Sequence, residues 1–236
     1  MREWAPLAVA AAGGFMSWAV RGKASGVFAP SVWRGDVSRH SLALTFDDGP
    51  SESTPAILEI LARYNVPATF FICGANADRL PSVARQIAAA GHEIGNHSYS
   101  HPYLFRLSPA SIAVELRRAQ ETIHAHTGAM PRWFRAPYGV RWFGLRRAQA
   151  DLGLTGLMWT AIGYDWKLRA EQVVARMPAN NGSILCLHDG RELRAKPDIG
   201  VTVETVRRLV PMLLDQGYTF ETVTRLICPK NSLNAS

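Results

Sequence analysis

The chain has 236 residues, which is long enough for one domain with a sizeable core. Of these residues 47% are hydrophobic and 19% are charged, a composition that excludes a disordered protein. Its net charge of +7 is moderately basic, but the basic residues are scattered and no row of aromatic residues lies among them, which argues against nucleic-acid binding. The cysteines are odd in number and widely spaced, which indicates neither a disulfide framework nor a zinc knuckle.

The chain begins with an apolar segment. Residues 4–20 contain no charged side chain, and their 17 positions are at the lower limit for crossing a bilayer. We predict that residues 1–38 hold a membrane anchor or signal-like segment with a linker, and that any membrane association runs through residues 4–20. An uncleaved anchor is favoured because no clean cleavage site follows Val20. The basic residues Arg21 and Lys23 follow this segment, and by the positive-inside rule they would keep the rest of the chain in the cytoplasm. They therefore argue against an anchor that places the domain outside the cell.

From residue 39 to residue 230, strand-like apolar runs alternate with helical patterns, and a short tail occupies 231–236. The predicted strands are 41–46, 68–74, 93–98, 132–137, 155–163, 183–189 and 218–223. The predicted helices are 53–65, 80–91, 108–128, 142–153, 171–177 and 202–217. Ser53 is expected to cap the first helix with Pro55 in its first turn, and Gly128 is expected to end the third.

This alternation predicts a single-domain α/β protein with a parallel sheet, either a barrel or an open doubly wound sheet. In both architectures the chemistry collects at the carboxyl ends of the strands. Polar residues capable of catalysis follow those ends, which a random distribution would rarely produce: Asp47, Asp48, His97, Arg135, Asp165 and His188.

The sequence offers a candidate metal site. His97 and His101 are four residues apart, a spacing that on a helical turn lets both imidazoles bind one ion. With Asp48 they would form a two-His, one-Asp set with open positions, typical of a catalytic zinc-type site. Asp47 would then be free to act as a general base on a water activated by the metal. The alternatives are two unrelated loop histidines and an aspartate pair that caps the next helix.

Three further residues fit an acid–base site. The guanidinium of Arg135 has the geometry to hold the Asp47 carboxylate, although a surface arginine is the alternative. His188 ends a buried strand, so it is either a core histidine or a general acid for the leaving group, with Asp165 as the carboxylate that orients it and raises its pKa. Trp166 is either a core aromatic residue or one wall of a sugar-binding cleft.

Five motifs resemble, in order and spacing, those of the polysaccharide deacetylases of carbohydrate esterase family four: TFDDGP (45–50), GHEIGNHSYSHP (91–102), FRAPYG (134–139), YDW (164–166) and ILCLHDG (184–190). The resemblance covers residues 39–227. It implies a distorted barrel of the (β/α)7 type and a divalent metal, usually zinc, with cobalt, manganese or nickel as alternatives. It also implies hydrolysis of N-acetyl groups from amino sugars of a peptidoglycan-like or chitin-like polysaccharide, with release of acetate.

The resemblance assigns roles to three groups of residues. The implied metal ligands are Asp48, His97 and His101. The implied catalytic residues are Asp47 as the base, Arg135 as the arginine that tunes this base, His188 as the acid and Asp165 as the partner of the acid. The implied substrate and oxyanion contacts are Pro137, the N–H of Tyr138, Trp166, Cys186 and Leu187.

Two positions depart from the family pattern. Ile162 stands where the family often has a further aspartate, and we expect activity to survive because the matching catalytic role belongs to Asp165. Cys186 stands where the family has a leucine that lines the pocket for the acetate methyl group. This substitution leaves a smaller apolar wall and alters the shape of the acyl pocket.

The expected partner is an N-acetylated polysaccharide or oligosaccharide, and the expected location is the cell envelope, in anchored or secreted form. Three alternatives remain: a hydrolase acting on a small amide or an acetylated xylan, a catalytically silent sugar-binding module, and a structural protein of the membrane surface. The silent module should have lost part of the acid, base and metal set, and nothing is missing here. The sequence leaves the polymer, the metal and the oligomeric state open.

Overall fold

The protein is built around one parallel sheet. The computed structural model describes residues 4–228, with side chains from residue 11, so the predicted tail at 231–236 lies outside the described residues. The strands are β1 (Ser31–Val32), β2 (Ser41–Gly49), β3 (Thr69–Ile72), β4 (Glu93–Asn96), β5 (Trp133–Phe134), β6 (Thr155–Leu157), β7 (Ala161–Ile162), β8 (Ser183–His188) and β9 (Thr219–Phe220). Their order is β1-β6-β5-β4-β3-β2-β8-β7, β9 pairs with β2, and every described pairing is parallel.

Helices alternate with these strands. They are α1 (Trp4–Arg21), α2 (Thr54–Arg63), α3 (Gly74–Arg79), α4 (Pro81–Ala89), α5 (Pro109–Thr127), α6 (Leu145–Asp151), α7 (Ala170–Ala175), α8 (Gly200–Asp215) and α9 (Val223–Ile227). The six predicted helices correspond to α2 and α4 to α8, and Gly128 ends α5 in the left-handed conformation as expected. Ser53 precedes α2 but its side chain does not cap the helix, because its backbone (φ −100°, ψ −7°) is helical and not in the extended conformation of a capping residue.

Side-chain alternation along β2 and β8 separates the core from the functional site. On one face of the two strands, a run of large apolar side chains joins the main core cluster: Leu42, Leu44, Phe46, Leu185 and Leu187. On the other face stand Thr45 and Asp47 of β2, paired in register with Cys186 and His188 of β8. Two strands that are almost fully buried therefore place polar groups at one end of the sheet without interrupting the core.

The predicted strand at 155–163 is divided in two, and the division explains the distorted barrel. β6 pairs with β5 and β1, whereas β7 pairs with β8 at the other end of the sheet. Between them, the Met158 N–H donates to the Val32 carbonyl and the Thr160 N–H donates to the Ile184 carbonyl. The connection therefore brings the two ends of the curled sheet together, and a single regular strand could not satisfy both sets of partners.

The N-terminal segment packs on the domain from residue 19 onward. Arg141 is almost fully buried, and its guanidinium donates to the carbonyl oxygens of Gly22 and Ser25 in the segment that follows α1. Ala29 belongs to a core cluster, and β1 pairs with β6. The packed domain therefore begins upstream of the predicted boundary at residue 39.

Within residues 4–228, no helix combines the length and the apolar character that crossing a bilayer requires. The membrane association predicted for residues 4–20 stays a prediction.

Candidate active site

Three predicted metal ligands meet at the carboxyl ends of β2 and β4. The Oδ1 atom of Asp48 lies 3.2 Å from His97 Nε2 and 3.0 Å from His101 Nε2, and all three side chains are buried. Burial alone would raise the pKa of Asp48, but the hydrogen bonds from His101 and His97 outweigh it and hold the pKa well below its ordinary value. The three ligand atoms converge closely enough to bind one ion.

The two histidines converge through a loop and not through the helical turn that their spacing suggested. His97 directly follows β4, and the chain then adopts left-handed backbone conformations at Ser98 (φ 65°) and His101 (φ 54°). The loop is held by Glu115 of α5, whose carboxylate accepts hydrogen bonds from the Tyr99 and Ser100 N–H groups. The spacing of four residues was informative, but its structural explanation was wrong.

The surroundings of the three ligands suit a metal ion. Nδ1–H of His97 donates to the carbonyl oxygen of Arg135 at 2.8 Å, which directs Nε2 towards Asp48. That nitrogen carries a proton when it bonds to the carboxylate and a lone pair once it binds an ion. Nδ1 of His101 is buried and has no hydrogen-bond partner among the described residues. The second oxygen of Asp48 accepts from the Glu192 N–H at 3.0 Å. Two imidazole nitrogens and one carboxylate form the donor set of an open zinc-type site.

The second aspartate of the pair meets a different cation. Nη1 of Arg135 lies 2.6 Å from Asp47 Oδ1 and also donates to the hydroxyl of Thr45 at 2.8 Å. Arg135 has no exposed surface, and its guanidinium carbon lies 4.1 Å from the centre of the Phe71 ring. The other Asp47 oxygen accepts from the Cys186 thiol at 3.4 Å. Both oxygens of Asp47 are therefore positioned by neighbouring side chains.

His188 and Asp165 form the predicted acid pair. Nδ1 of His188 lies 2.8 Å from Asp165 Oδ1, and the other Asp165 oxygen accepts from the His188 N–H and the Thr202 hydroxyl. Burial lowers the pKa of His188, but the charge and hydrogen bond of Asp165 outweigh it, and with smaller contributions from Asp48 and Asp47 they raise the pKa to about 9. His188 is therefore protonated at neutral pH and can donate a proton from Nε2.

The predicted substrate contacts divide into two groups. Trp166 is 46% exposed, and its ring stands edge-on to His188 with centroids 4.7 Å apart, which is the position of a cleft wall and not of a core residue. Tyr138 has a left-handed backbone (φ 58°) beside the buried Pro137, and its ring packs on His101.

The two predicted contacts on β8 lie on opposite faces of that strand. Cys186 faces the site. Leu187 points to the opposite face of β8 and belongs to the main core, so its assignment as a substrate contact is corrected.

Several supporting residues were not anticipated. Asp189 is buried next to His188 in sequence, accepts a hydrogen bond from Thr54 at 2.7 Å, and has its pKa raised to about 7, mainly by burial. The side-chain amide of Asn76 donates to the carbonyl of Asp48 at 2.7 Å. The position of Asp189 after His188 was a visible signal. Thr202 and Asn76 gave none, because each reaches the site from a distant helix.

The chain is similar in sequence to known proteins of one family. A sequence model of the family described as Polysaccharide deacetylase matches residues 34–157, which is more than half of the chain. A chitooligosaccharide deacetylase of Bradyrhizobium sp. (strain ANU 289) is 36% identical over 204 residues, covering 81% of this chain and 93% of that protein. The peptidoglycan-N-acetylglucosamine deacetylase PgdA of Listeria monocytogenes is 32% identical over 206 residues; the match covers 86% of this chain but 42% of PgdA.

Solved structures share the fold. The peptidoglycan N-acetylglucosamine deacetylase Bc1960 has a TM-score of 0.78 at 29% identity, covering 83% of this chain and 91% of that chain. BA3943 of Bacillus anthracis, described as a pseudoenzyme of carbohydrate esterase family 4, has a TM-score of 0.75 at 30% identity, covering 83% and 68%. The fold thus includes a protein described as a pseudoenzyme, and the catalytic set must be judged from its own residues. On the family match and the Bradyrhizobium relative, this chain belongs to the polysaccharide deacetylase family.

Proposed function

We propose that this protein is a metal-dependent deacetylase that removes N-acetyl groups from the amino sugars of a peptidoglycan-like or chitin-like glycan and releases acetate. One observation carries the proposal. A three-ligand cluster (Asp48, His97 and His101) lies beside a carboxylate paired with an arginine and a histidine paired with an aspartate, all at the carboxyl ends of strands of one sheet. A silent sugar-binding module has no need for this combination.

The metal-binding residues would be Asp48, His97 and His101. Their nitrogen and carboxylate donors favour zinc, with cobalt, manganese or nickel as alternatives. When bound, such an ion supplies Lewis acidity and lowers the pKa of a water molecule towards about 7. The hydrogen bond from His97 to the Arg135 carbonyl and the one from the Glu192 N–H to Asp48 orient the ligands before the ion arrives.

The remaining residues perform the proton transfers of amide hydrolysis. Asp47 is the base that takes a proton from the attacking water, and Arg135 holds one of its oxygens so that the carboxylate keeps a fixed direction. His188 donates a proton to the departing amine, for which it must be protonated at the start of the reaction. The Tyr138 N–H is the proposed oxyanion contact, presented by the left-handed turn at that residue.

The substrate class follows from what the relatives share. The Bradyrhizobium relative is described as acting on chitooligosaccharides and Listeria PgdA as acting on the N-acetylglucosamine of peptidoglycan. Both substrates contain N-acetylglucosamine in a glycan chain. The exposed Trp166 ring beside His188 supplies an aromatic face on which a sugar ring can stack. We therefore propose an N-acetylglucosamine residue within such a chain as the group that enters the site.

The test measures acetate and free amine together. Protein freed of metal and then given one equivalent of zinc is incubated with chito-oligomers, peptidoglycan and acetylated xylan, with and without a chelator. We expect acetate and amine in equal amounts from at least one of the first two substrates, and neither product with chelator or with Asp47→Asn. The matched control is Asp215→Asn, which changes an exposed aspartate at the end of α8. Acetate from xylan without any amine would show an esterase, and no acetate from any substrate would refute the proposal.

We also propose that the enzyme works in the cell envelope, where a peptidoglycan substrate would lie. Part of α1 presents exposed apolar side chains, including Phe15, Met16 and Trp18. Fractionation of the host cell tests this location. Recovery of the protein in the cytosolic fraction alone would contradict it.

A further inference from the structure

A second group of metal-binding side chains lies on the inner face of β2 and β8. Asp47, Cys186 and His188 each direct one ligand atom to a common point, and these atoms all lie within 4.8 Å of one another. None of the three belongs to the Asp48 cluster. The group forms because Cys186 and His188 are two residues apart and so lie on the same face of β8. Asp47 of β2 is paired with His188 in the parallel register.

We propose that this group is a second, inhibitory site for zinc or a similar thiophilic cation, and that an ion bound there blocks both the base and the acid of the deacetylase. Cys186 completes the site. A hydrocarbon side chain at this position would leave only a carboxylate and an imidazole, whereas a thiolate is a strong zinc ligand.

The distance between the sulfur and the carboxylate oxygen fits a tetrahedral ion. Zinc–sulfur and zinc–oxygen bonds of about 2.3 and 2.0 Å place the two ligand atoms roughly 3.5 Å apart at a tetrahedral angle. The Cys186 sulfur and Asp47 Oδ2 are 3.4 Å apart. Nδ1 of His188 is bonded to Asp165, so Nε2 is the nitrogen left to complete the set. The ion would take the place of the thiol proton that now lies between sulfur and oxygen.

A nearby positive charge and the cost of proton release keep this site weaker than the Asp48 site. The Arg135 guanidinium lies 3.7 Å from the Cys186 sulfur and already neutralises Asp47. Binding also releases the thiol proton, and any proton on His188 Nε2, to solvent, without any change in oxidation state. The first equivalent of metal should therefore fill the Asp48 site, and the second site should fill only when metal is in excess.

Cobalt(II) gives a readout that does not depend on activity, because a cobalt–thiolate bond produces a charge-transfer absorption in the near ultraviolet. The titration uses metal-free protein carrying Cys228→Ser, since Cys228 is an exposed thiol. We expect no thiolate band during the first equivalent and a band that grows with the second. Both Cys186→Ser and Cys186→Leu should abolish it, and His101→Ala, which disrupts the first site, should retain it.

Zinc inhibition supplies the second readout. The rate of acetate release should rise with the first equivalent of zinc and fall by at least tenfold in excess zinc. In Cys186→Leu the inhibition constant for zinc should rise about tenfold or more, because even the loss of a residue that only supports a ligand lowers metal affinity by about 10–100-fold.

Three results would overturn the proposal even if the enzyme is fully active with one equivalent of zinc. The first is the absence of a thiolate band at saturating cobalt. The second is a band that survives in Cys186→Ser, which would identify Cys73 as the ligand. The third is a band that appears with the first equivalent of cobalt. Conversely, an inactive protein that shows the expected second-phase band would support the metal site and contradict the deacetylase function.

Discussion

Replacing Asp165 with asparagine tests whether this carboxylate keeps the general acid protonated. Asp165 binds both Nδ1 and the backbone N–H of His188, and it is the largest of the influences that raise the pKa of that histidine from 6.5 to about 9. Burial acts in the opposite direction. Without the carboxylate, burial would leave the pKa of His188 close to or below its ordinary value, and asparagine can still occupy the same space.

The size of the effect follows from these values. The difference between 6.5 and about 9 corresponds to about 3 kcal/mol in favour of the protonated imidazole. A metal ion at Asp48 would cancel part of that carboxylate's contribution, so we expect the basic limb of the wild-type profile somewhat below pH 9. A neighbouring carboxylate shifts a pKa by about 1–3. We therefore expect Asp165→Asn to move the basic limb of the pH–rate profile to a pH about 2 lower. This shift lowers the rate about tenfold at pH 8 and much less at pH 6.

The pH dependence of protein stability should reflect the same pair, His188 and Asp165. Because the folded-state pKa of His188 is raised, its contribution to the free energy of unfolding is fully present below about pH 6.5 and is lost as the pH rises through about 9. In Asp165→Asn this contribution disappears at low pH, so the two proteins should differ most at pH 6. Urea titrations at pH 6 and pH 9.5 measure the difference, which we expect to be at most about 3 kcal/mol.

The kinetic assay is a profile of kcat/KM against pH with zinc held at one equivalent, because kcat/KM reports ionisations of the free enzyme. Asp215→Asn provides the same chemical change at an exposed site on α8 and should leave the profile unchanged. If Asp165→Asn lowered the rate by the same factor at every pH, Asp165 would only orient His188. An unchanged basic limb would refute the electrostatic argument.

Three more substitutions test other parts of the molecule. Asp47→Asn removes the proton acceptor while keeping its shape, so acetate release should fall by about 10²–10⁴-fold while the protein still binds one equivalent of zinc by mass spectrometry. Trp166→Ala removes the exposed ring beside the acid, and we expect KM for chito-oligomers to rise about 2- to 10-fold with kcat nearly unchanged. Arg141→Met leaves the carbonyls of Gly22 and Ser25 without their donor, so urea titration should show a loss of about 2–4 kcal/mol in the free energy of unfolding.

Each of these expectations has a contrary result. Full activity in Asp47→Asn would remove it from the role of base. A change confined to kcat in Trp166→Ala would indicate that the ring positions His188 and does not bind sugar. An unchanged unfolding transition in Arg141→Met would show that the N-terminal segment adds nothing to the stability of the domain.

Much of the architecture and most of the site residues could be predicted, because both depend on local patterns. Six helices followed their periodic apolar positions, and the parallel sheet followed from their alternation with strands. The predicted contacts of Arg135 with Asp47 and of Asp165 with His188 are both present. Each of these residues lies at or just after a strand end, where the direction of a parallel sheet alone brings them together.

The errors arose where the geometry depends on distant partners. The division of the strand at 155–163 requires Val32 and Ile184 as partners, which no local pattern reveals. The expected Ser53 cap is absent because Ser53 takes a helical backbone, in a turn where Ser51 and Thr54 contact Asp189, which follows β8. Leu187 was misplaced for a local reason, since the alternation of β8 already puts it on the face opposite His188.

The paired aspartates show how an irregular strand end allows two adjacent carboxylates to serve one site. In a regular strand, Asp48 would point to the face occupied by Leu44 and Phe46, where an unpaired charge is costly. The register of β2 against β3 instead shifts by one residue between Asp47 and Gly49, and Asp48 takes a left-handed conformation with φ of 71°. That conformation costs of order 1–2 kcal/mol in an L-residue. Hydrogen bonds from Asn76 to the Asp48 carbonyl and from Glu192 to its carboxylate offset the cost. The bulge therefore turns Asp48 towards the two histidines while Asp47 stays on the face that carries Arg135, and repulsion between neighbouring carboxylates is replaced by attraction to two separate sets of partners.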